Sequence, residues 1–368
     1  MDEGLVLRSV RALADGAEPF LSAIEGADGF DAAAFAELIE RHRTMPWLEP
    51  AVLSAEGRRR LPAALVAAVE AGSERRRRRH DELVAETLEV QDAYDRAGIP
   101  CRHLKGLSFG VRFFPDPRRR FMRDVDVLVR ERDREAALAA LEGVGYEREP
   151  GQIKEGVVRW GLRRGFSAVD VHWNLRRRAR RRVGEEDLLA DPVRFEVGGR
   201  PLETVSDDAT LTFLLLSLCG DLRRGGCRIR HFVDLHMVLR GLSKTLDAEQ
   251  FLARRARQRL VMPCVNVLAV FLALWDAADD VPELAEAVLR RRGLVQIRGA
   301  GDAQRLLFGA DAAEGRRWFR RAYPYDAFDT WARRLTVDLP FTLSRLLPAR
   351  RFGLPRVRRL PGATAGAP

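Results

Sequence analysis

Two short stretches in which apolar and polar residues alternate constrain the fold of this chain more than any other feature. One runs from Asp124 to Val129 and the other from Ala168 to Trp173. Such alternation is typical of a β-strand, because successive side chains on a strand point to opposite faces of the sheet. The valines of each stretch would face a core, and the acidic residues would face the other side. The middle of the chain is therefore predicted to contain a sheet.

The sequence on both sides of these stretches has the periodicity of helices instead. Upstream, apolar residues recur at helical spacing between residues 31 and 97, and Pro62 is placed to open one helix. Downstream, Ser206 has the side chain and position of a helix cap before an apolar run. Further elements are predicted as helices over 133–142, 247–257, 261–275 and 282–291, and as a hairpin over 194–199.

The length and composition fit a folded protein with more than one structural unit. The chain has 368 residues, which exceeds the usual size of a single core, and 46% of them are hydrophobic. We expect an α+β fold in which helical regions flank a sheet-containing core. The predicted boundaries are 1–96 for an N-terminal helical region, 97–203 for the α+β core, 204–348 for a C-terminal helical domain and 349–368 for a disordered basic tail.

The net charge of the chain indicates the class of molecule that it binds, and its cysteines and apolar segments indicate its cellular compartment. The net charge of +10 and the pI near 10.2 favour phosphate-rich partners, so nucleic acid is kept as an alternative partner. The four cysteines are scattered and lack the close spacing of a zinc or redox pair. No basic leader opens the sequence, and no apolar segment reaches the ~20 residues that a membrane-spanning helix needs. We expect a cytoplasmic protein without a membrane span.

The acidic residues of the alternating stretches are candidate metal ligands. Asp124 and Asp126 would share one face of their strand, where their charges repel unless a cation such as Mg²⁺ neutralises them. Asp170 could join them if the two strands are neighbours. Three carboxylates can hold two metal ions that orient a triphosphate, and Asp170 would then bind or deprotonate the attacking group. The alternative is a solvated edge strand whose acids bind nothing.

A Lys-Gly pair upstream of the acids is a candidate phosphate contact. Lys105 and Gly106 follow a short strand-like run and open a predicted helix, where free N–H groups can meet a phosphate. Lys105 is one of three lysines, while lysine and arginine together number 63, so its retention suggests a chemical requirement. A Lys-Gly pair is common, and it is the position of this pair before the acidic strand that indicates phosphate contact.

Five segments in this region together resemble a known family. They are Leu104-Lys105-Gly106, Phe114-Pro115-Asp116-Pro117, Arg123 to Val129, Gly145-Tyr146 and Val169 to Trp173. They are similar to the uncharacterised bacterial nucleotidyltransferase family of the DNA polymerase β superfamily, over about residues 90–240. The resemblance implies a small mixed β-sheet with helices, followed by a helical domain that includes residues 231–235. The family leaves the acceptor undefined.

The resemblance also implies a set of site residues. Asp124 and Asp126 would bind metal, Mg²⁺ or Mn²⁺, with Asp170 as the third carboxylate and a nucleoside triphosphate as co-substrate. Independently of the resemblance, we expect the nucleotide to contact Lys105, Gly106, Ser108 and Arg123. Many members of the superfamily have Gly-Ser at the phosphate loop, whereas here Leu107 separates Gly106 from Ser108.

Several other residues have two interpretations each. Arg123 would bend back to phosphate or make a surface salt bridge, and His172 would orient substrate or serve as a hydrogen-bonded structural residue. His231 and Asp234 have a helical spacing that permits shared metal binding, and cap or interface roles explain them equally. The run from Arg75 to Arg79 would form a solvated helix face or bind nucleic acid.

Three functions remain in competition. The first is a Mg²⁺-dependent enzyme that moves a nucleoside monophosphate from a triphosphate to a small molecule, a peptide or a protein. The second is a basic nucleic-acid-binding protein in which the fold is inactive, so that binding would fall steeply with salt and ignore the acids. The third is a nucleotide-sensing module, which would bind the triphosphate without releasing pyrophosphate.

Overall fold

The computed structural model describes residues 3–148, 159–164, 167–173, 185–224, 226–258 and 260–291. The arginine-rich residues 176–182, residues 292–348 of the predicted C-terminal helical domain and the predicted tail lie outside this part of the chain. The helices are α1 (Glu3–Asp15), α2 (Ala17–Glu25), α3 (Ala32–Arg41), α4 (Met45–Val52), α5 (Ala55–Arg60), α6 (Ala63–Ala71), α7 (Ser73–Arg96), α8 (Gly106–Phe113), α9 (Arg134–Glu142), α10 (Glu185–Leu189), α11 (Asp207–Arg224), α12 (Ile229–Leu242), α13 (Ala248–Arg257), α14 (Val261–Trp275) and α15 (Pro282–Arg291).

The strands form a small mixed sheet and a separate hairpin. They are β1 (Arg102–Leu104), β2 (Val125–Leu128), β3 (Glu147–Arg148), β4 (Arg159–Arg164), β5 (Ser167–His172), β6 (Val193–Val197) and β7 (Arg200–Thr204). The sheet has the order β1-β2-β5-β4-β3, and β6 pairs with β7. Within the sheet, β2 and β5 run parallel, while the other neighbouring pairs are antiparallel. The α+β fold predicted from the alternating stretches is confirmed.

One face of the sheet packs on two helices. Val127 and Val129 from the β2 stretch and Val171 from β5 are fully buried, as the alternation predicts. They join a core cluster with Leu138 of α9 and Tyr94 of α7. Burial of each such side chain stabilises the fold by about 1.5–3 kcal/mol. This cluster fixes which way β2 and β5 face, and therefore which side their acidic residues occupy.

The N-terminal helices pack on this core through apolar contacts and one buried acid. Glu49 on α4 is 9% exposed, and its Oε2 accepts hydrogen bonds from Arg76 on α7, at 2.9 Å from Nε and 2.7 Å from Nη2. The hydroxyl of Ser73 donates to Oε1 of the same carboxylate. Hydrogen bonds to a charged group inside a protein are among the stronger ones. Glu49 therefore fixes the position of the arginine-rich start of α7 against α4.

The described chain forms two compact units. The first comprises Met1–Leu214 with Arg228–Leu246, and it contains the whole five-stranded sheet. The second comprises Leu215–Cys227 with the described residues from Asp247 onwards, including α13, α14 and α15. None of the helices in the described ranges is both long and apolar enough to cross a bilayer.

The core predicts a measurable effect for one substitution. Leu138 is fully buried between the sheet and α7, so Leu138→Ala removes apolar contacts and leaves a cavity. We expect the free energy of unfolding to fall by about 2–5 kcal/mol, measured by denaturant titration. Glu135→Ala, on an exposed face of the same helix, should change it by less than about 0.5 kcal/mol. Equal losses in both variants would show that Leu138 is not part of a tightly packed core.

Candidate active site

The parallel pairing of β2 and β5 brings acidic residues from distant parts of the sequence together. Asp126 lies directly opposite Asp170 in the register, and His172 follows two residues later on β5. Ligand atoms of these three side chains all lie within 4.8 Å of one another, and the residues are 6%, 5% and 2% exposed. Carboxylates this close and this buried repel each other unless positive charge or hydrogen bonds compensate. The cluster therefore has the properties of a cation site.

The chemistry of the donors indicates which ion would fit. His172 donates a hydrogen bond from Nε2 to Oδ1 of Asp126 at 2.8 Å, while its Nδ1 is buried without a hydrogen-bond partner in the described part of the chain. With the imidazole engaged in this way, Asp126 and Asp170 offer carboxylate oxygens, which suit Mg²⁺ or Mn²⁺. Asp124 lies one residue before β2, is half-buried and is not part of the three-residue cluster.

The Lys-Gly turn lies against the same acids. Nζ of Lys105 is 3.9 Å from Oδ1 of Asp126 and 4.6 Å from the centroid of the Phe213 ring. A Cβ atom added to Gly106 would lie 3.7 Å from the backbone oxygen of Asp124. The ammonium group of Lys105 is thus held between an aromatic face and a carboxylate, and it supplies positive charge beside the candidate metal ligands.

The backbone of this turn is strained and is held by several hydrogen bonds. Lys105 has φ 40° and ψ −137°, and Gly106 has φ 43°, a region that non-glycine residues rarely adopt. The hydroxyl of Ser108, which is fully buried, donates to the backbone oxygen of Lys105 at 2.7 Å. Nη1 of Arg120 donates to the backbone oxygen of Gly106 at 2.9 Å. The turn leads directly into α8, and the first N–H groups of a helix are suited to bind an anion.

A buried ion pair connects this turn to α12. Arg120 donates from Nε and Nη2 to the two carboxylate oxygens of Asp234, at 2.9 and 2.8 Å. The two side chains are 5% and 6% exposed. A bidentate pair of this kind fixes both groups in one geometry. Arg120 therefore fixes the position of the Gly106 carbonyl group, and both carboxylate oxygens of Asp234 accept hydrogen bonds from Arg120.

His231 serves as a cap of α12. Its Nδ1 accepts a hydrogen bond from the backbone N–H of Arg228 at 3.1 Å. Burial lowers the pKa of His231 well below its ordinary value, and the charges of Arg230 and Lys105 lower it further. The imidazole is therefore neutral at pH 7, as an acceptor must be. The spacing of His231 and Asp234 is explained by these two separate contacts.

Several arginines lie close to one another and to Asp124. Arg43 lies 4.9 Å and Arg230 5.5 Å from the centroid of the Phe121 ring. Burial lowers the pKa of Arg43 to about 10, the neighbouring Arg228, Arg230 and Arg123 lower it as well, and Asp124 opposes this effect. Because these guanidinium groups repel one another, an anion bound next to them would be stabilised.

The structure brings some of the sequence-predicted residues together and gives others different contacts. It brings together four of them: Asp126, Asp170, Lys105 and Gly106. The Ser108 hydroxyl contacts the turn from within, and Arg123 has an exposed side chain, while its backbone oxygen accepts a hydrogen bond from Arg79 at 3.3 Å. The alternation places His172 on the face of Asp170, which indicates its proximity. Nothing in the sequence distinguishes Arg120 from the arginines around it.

The chain matches the profile of a family described as uncharacterised nucleotidyltransferase over residues 28–276, which is more than half of its length. None of the curated proteins is a significant match. The matching solved structures include two of ANT(2'')-Ia. The solution structure of this antibiotic-resistance factor shares 16% identity over 49% of this chain and 92% of that chain, with a TM-score of 0.37. The crystal structure in complex with adenylyl-2''-tobramycin shares 17% identity over 48% of this chain and 97% of that chain, with a TM-score of 0.37.

A third structure is that of an antigenic nucleotidyltransferase-like protein from Paracoccidioides brasiliensis. It shares 17% identity over 57% of this chain and 93% of that chain, with a TM-score of 0.34. At these levels of similarity, the substrates of the structural neighbours do not transfer to this chain.

The Arg120–Asp234 pair predicts a non-additive effect on stability. Arg120→Met and Asp234→Leu each leave one buried charge unpaired, so each should lower the free energy of unfolding by about 3–5 kcal/mol. The double variant removes both charges and should lose less than the sum of the two single losses, measured by denaturant titration. Arg118→Met, with an exposed side chain, serves as a control with little effect. Additive losses would mean that the two residues do not depend on each other.

Proposed function

As a member of the uncharacterised nucleotidyltransferase family, this chain is a nucleotidyl-transfer enzyme, and we propose that it uses Mg²⁺ or Mn²⁺ to move a nucleoside monophosphate from a nucleoside triphosphate to an acceptor. The observation that carries the proposal is the meeting of Asp126, Asp170 and Lys105 at one buried place beside the start of α8. In this arrangement the carboxylates would bind the metal ion of a metal–triphosphate complex, and the ammonium group of Lys105 would bind its phosphates.

We assign the metal to the carboxylates. Asp126 and Asp170 face each other across the parallel strands and would hold the ion together, with Asp124 contributing from the residue before β2. When bound, the metal would neutralise phosphate charge and lower the pKa of an attacking hydroxyl. His172 holds Asp126 in one rotamer through its hydrogen bond, which is the kind of support that fixes a ligand before the metal arrives.

We assign the triphosphate to the turn and the start of α8. The first N–H groups of α8 have no partner within the helix, and the helix dipole favours a negative charge there. The ammonium group of Lys105 would balance part of the phosphate charge without entering the metal coordination. Arg120 keeps the turn in its strained conformation by binding the oxygen of Gly106, so it acts on the nucleotide only through the backbone.

We assign to Asp170 the role of accepting the proton of the attacking hydroxyl. A carboxylate next to the metal is placed to accept a hydrogen bond from an acceptor hydroxyl and then its proton. The oxygen of that hydroxyl would bond to the α-phosphorus, and pyrophosphate would leave with the electrons of the broken bond. Asp170 is 5% exposed, which keeps bulk water away from this carboxylate and favours transfer to the bound acceptor over hydrolysis.

The carboxylates can be tested by removing their charge. Asp126→Asn with Asp170→Asn should abolish Mg²⁺-dependent binding of a labelled nucleoside triphosphate and lower pyrophosphate release by more than ~100-fold, because the ion loses its oxygen ligands. Asp279→Asn makes the same chemical change at an exposed site and should leave both quantities unchanged. Thermal unfolding of all three proteins verifies that they fold.

Two outcomes would contradict the proposal in different ways. Nucleotide binding that ignores the acids and falls steeply with salt would favour the alternative of a basic nucleic-acid-binding protein with an inactive fold. Metal-dependent nucleotide binding without pyrophosphate release, with every acceptor tried, would favour a nucleotide-sensing protein.

The role of Lys105 can be tested separately. Lys105→Met removes the charge beside the phosphates and should raise the Kd for the triphosphate about 10-fold to 100-fold, as expected for a charged hydrogen bond worth roughly 1.5–3 kcal/mol. Lys244→Met, at an exposed position, is the matched control. Binding measured by calorimetry with Mg²⁺ and nucleotide should separate the two variants. An unchanged Kd for Lys105→Met would place the triphosphate elsewhere.

A further inference from the structure

A cavity of about 500 Å³ opens near the candidate active site, within the first unit. Its walls come from the end of α3 and the start of α4, from the first turns of α7, and from the segment that leads to β2. Phe121 and Met122 line it, and Asp124 is only two residues further along the chain. Arg120 also lines it and binds the oxygen of Gly106. The cavity and the phosphate turn are therefore connected by the same short segment.

The lining of this cavity carries far more positive than negative charge. Seven arginines and two glutamates contribute to its wall. Four of the arginines are neutralised by acids: Arg76 by Glu49, Arg79 by Glu82, Arg118 by Asp81 and Arg120 by Asp234.

The other three arginines of the wall are in no ion pair of this kind within the described residues, and Asp124 acts on Arg43 only electrostatically. Arg43, Arg75 and Arg78 form no ion pair there, and Arg43 instead lies over the ring of Phe121. Glu40, the second glutamate of the wall, is exposed at the rim and forms no described ion pair with them. Guanidinium groups that line one cavity are subject to mutual repulsion, which for Arg43 adds to the repulsion from Arg228, Arg230 and Arg123 outside the lining. An anion inside the cavity would relieve it.

The size and the apolar part of the wall restrict the kind of anion. A volume of about 500 Å³ is in the range of sites for small molecules. Met45, Pro46 and Phe121 supply an apolar surface on which a ring or carbon chain can rest, while the guanidinium groups suit the oxygens of a phosphate. A nucleic acid would instead need an extended groove along which the backbone can run.

We propose that this cavity binds the acceptor of the transfer, and that the acceptor is a small molecule bearing at least one phosphate group and a free hydroxyl. The proposal rests on the proposed function. Arg43, Arg75 and Arg78 bind the phosphate of the acceptor, and its hydroxyl extends past Phe121 towards Asp124. The hydroxyl oxygen then bonds to the α-phosphorus of the nucleoside triphosphate, its proton passes to Asp170, and pyrophosphate leaves with the electron pair of the broken P–O bond.

The arginines can be tested without nucleotide or metal. In buffer with EDTA, calorimetry with fructose 1,6-bisphosphate should show binding that weakens with salt, whereas fructose should not bind. Arg75→Gln with Arg78→Gln should raise the Kd for the bisphosphate at least tenfold. The matched control is Arg77→Gln with Arg132→Gln, which removes the same charge at side chains that are 62% and 73% exposed and lie outside the cavity. We expect the control to bind like the unchanged protein.

Three kinds of result would overturn the proposal. The first is equal binding in the double variant and its control, or no binding of the bisphosphate at all. The second is tight binding of a 5′-phosphorylated single-stranded RNA without binding of the bisphosphate, which would assign the arginines to nucleic acid. The third is an equal loss of Mg²⁺–ATP binding in the double variant, which would assign the cavity to the nucleotide.

Failure of the proposed function would look different. Asp126→Asn should abolish Mg²⁺–ATP binding and leave bisphosphate binding in EDTA unchanged. If the unchanged protein bound the bisphosphate through Arg75 and Arg78 but released no pyrophosphate with any nucleoside triphosphate, the cavity would be an anion site without nucleotidyl transfer. The acceptor proposal would then be wrong together with the proposed function, and the site assignment would stand.

Discussion

The parallel pairing of β2 with β5 is the constraint on which the site depends. It sets Asp126 directly opposite Asp170 in neighbouring strands and brings His172 to the same place. The valines between these residues are locked into the core below the sheet, so a shift of one residue in the register would turn the acids inward and the valines outward. The packing of apolar side chains on α7 and α9 therefore fixes the arrangement of the polar ones.

A second layer of support comes from arginines that do not reach the site themselves. Arg120 joins Asp234 to the oxygen of Gly106 and so holds a turn whose backbone is strained. Arg76 plays a similar part for α7 by binding Glu49. In both cases the guanidinium group bridges two elements through several hydrogen bonds, which a lysine could not do in the same geometry. The high arginine content thus serves structure as well as overall charge.

The sequence predicted the elements better than the contacts. Alternation and helical spacing indicated β2, β5 and α9 because those patterns follow from which face is buried. The convergence of Asp126 with Asp170 required a neighbouring, parallel arrangement that local pattern does not determine. For His172, the sequence indicated only that its side chain shares a strand face with Asp170. Arg120 could not be distinguished from Arg118 and Arg119, because the burial that separates them arises from the distant Asp234. The boundaries proposed for the domains stay a prediction.

The Arg120–Asp234 ion pair also affects how the enzyme folds. Arg120 and Asp234 are separated by 114 positions along the chain, and Asp126 and His172 by 46. Bringing such distant positions together costs chain entropy, so these contacts require that the intervening elements have been brought into place. A nascent or partly opened chain therefore has the acids but lacks the supported turn beside them. The geometry of the site is in this way linked to completion of the tertiary structure, and local loosening of α12 would release the support of the turn at Gly106.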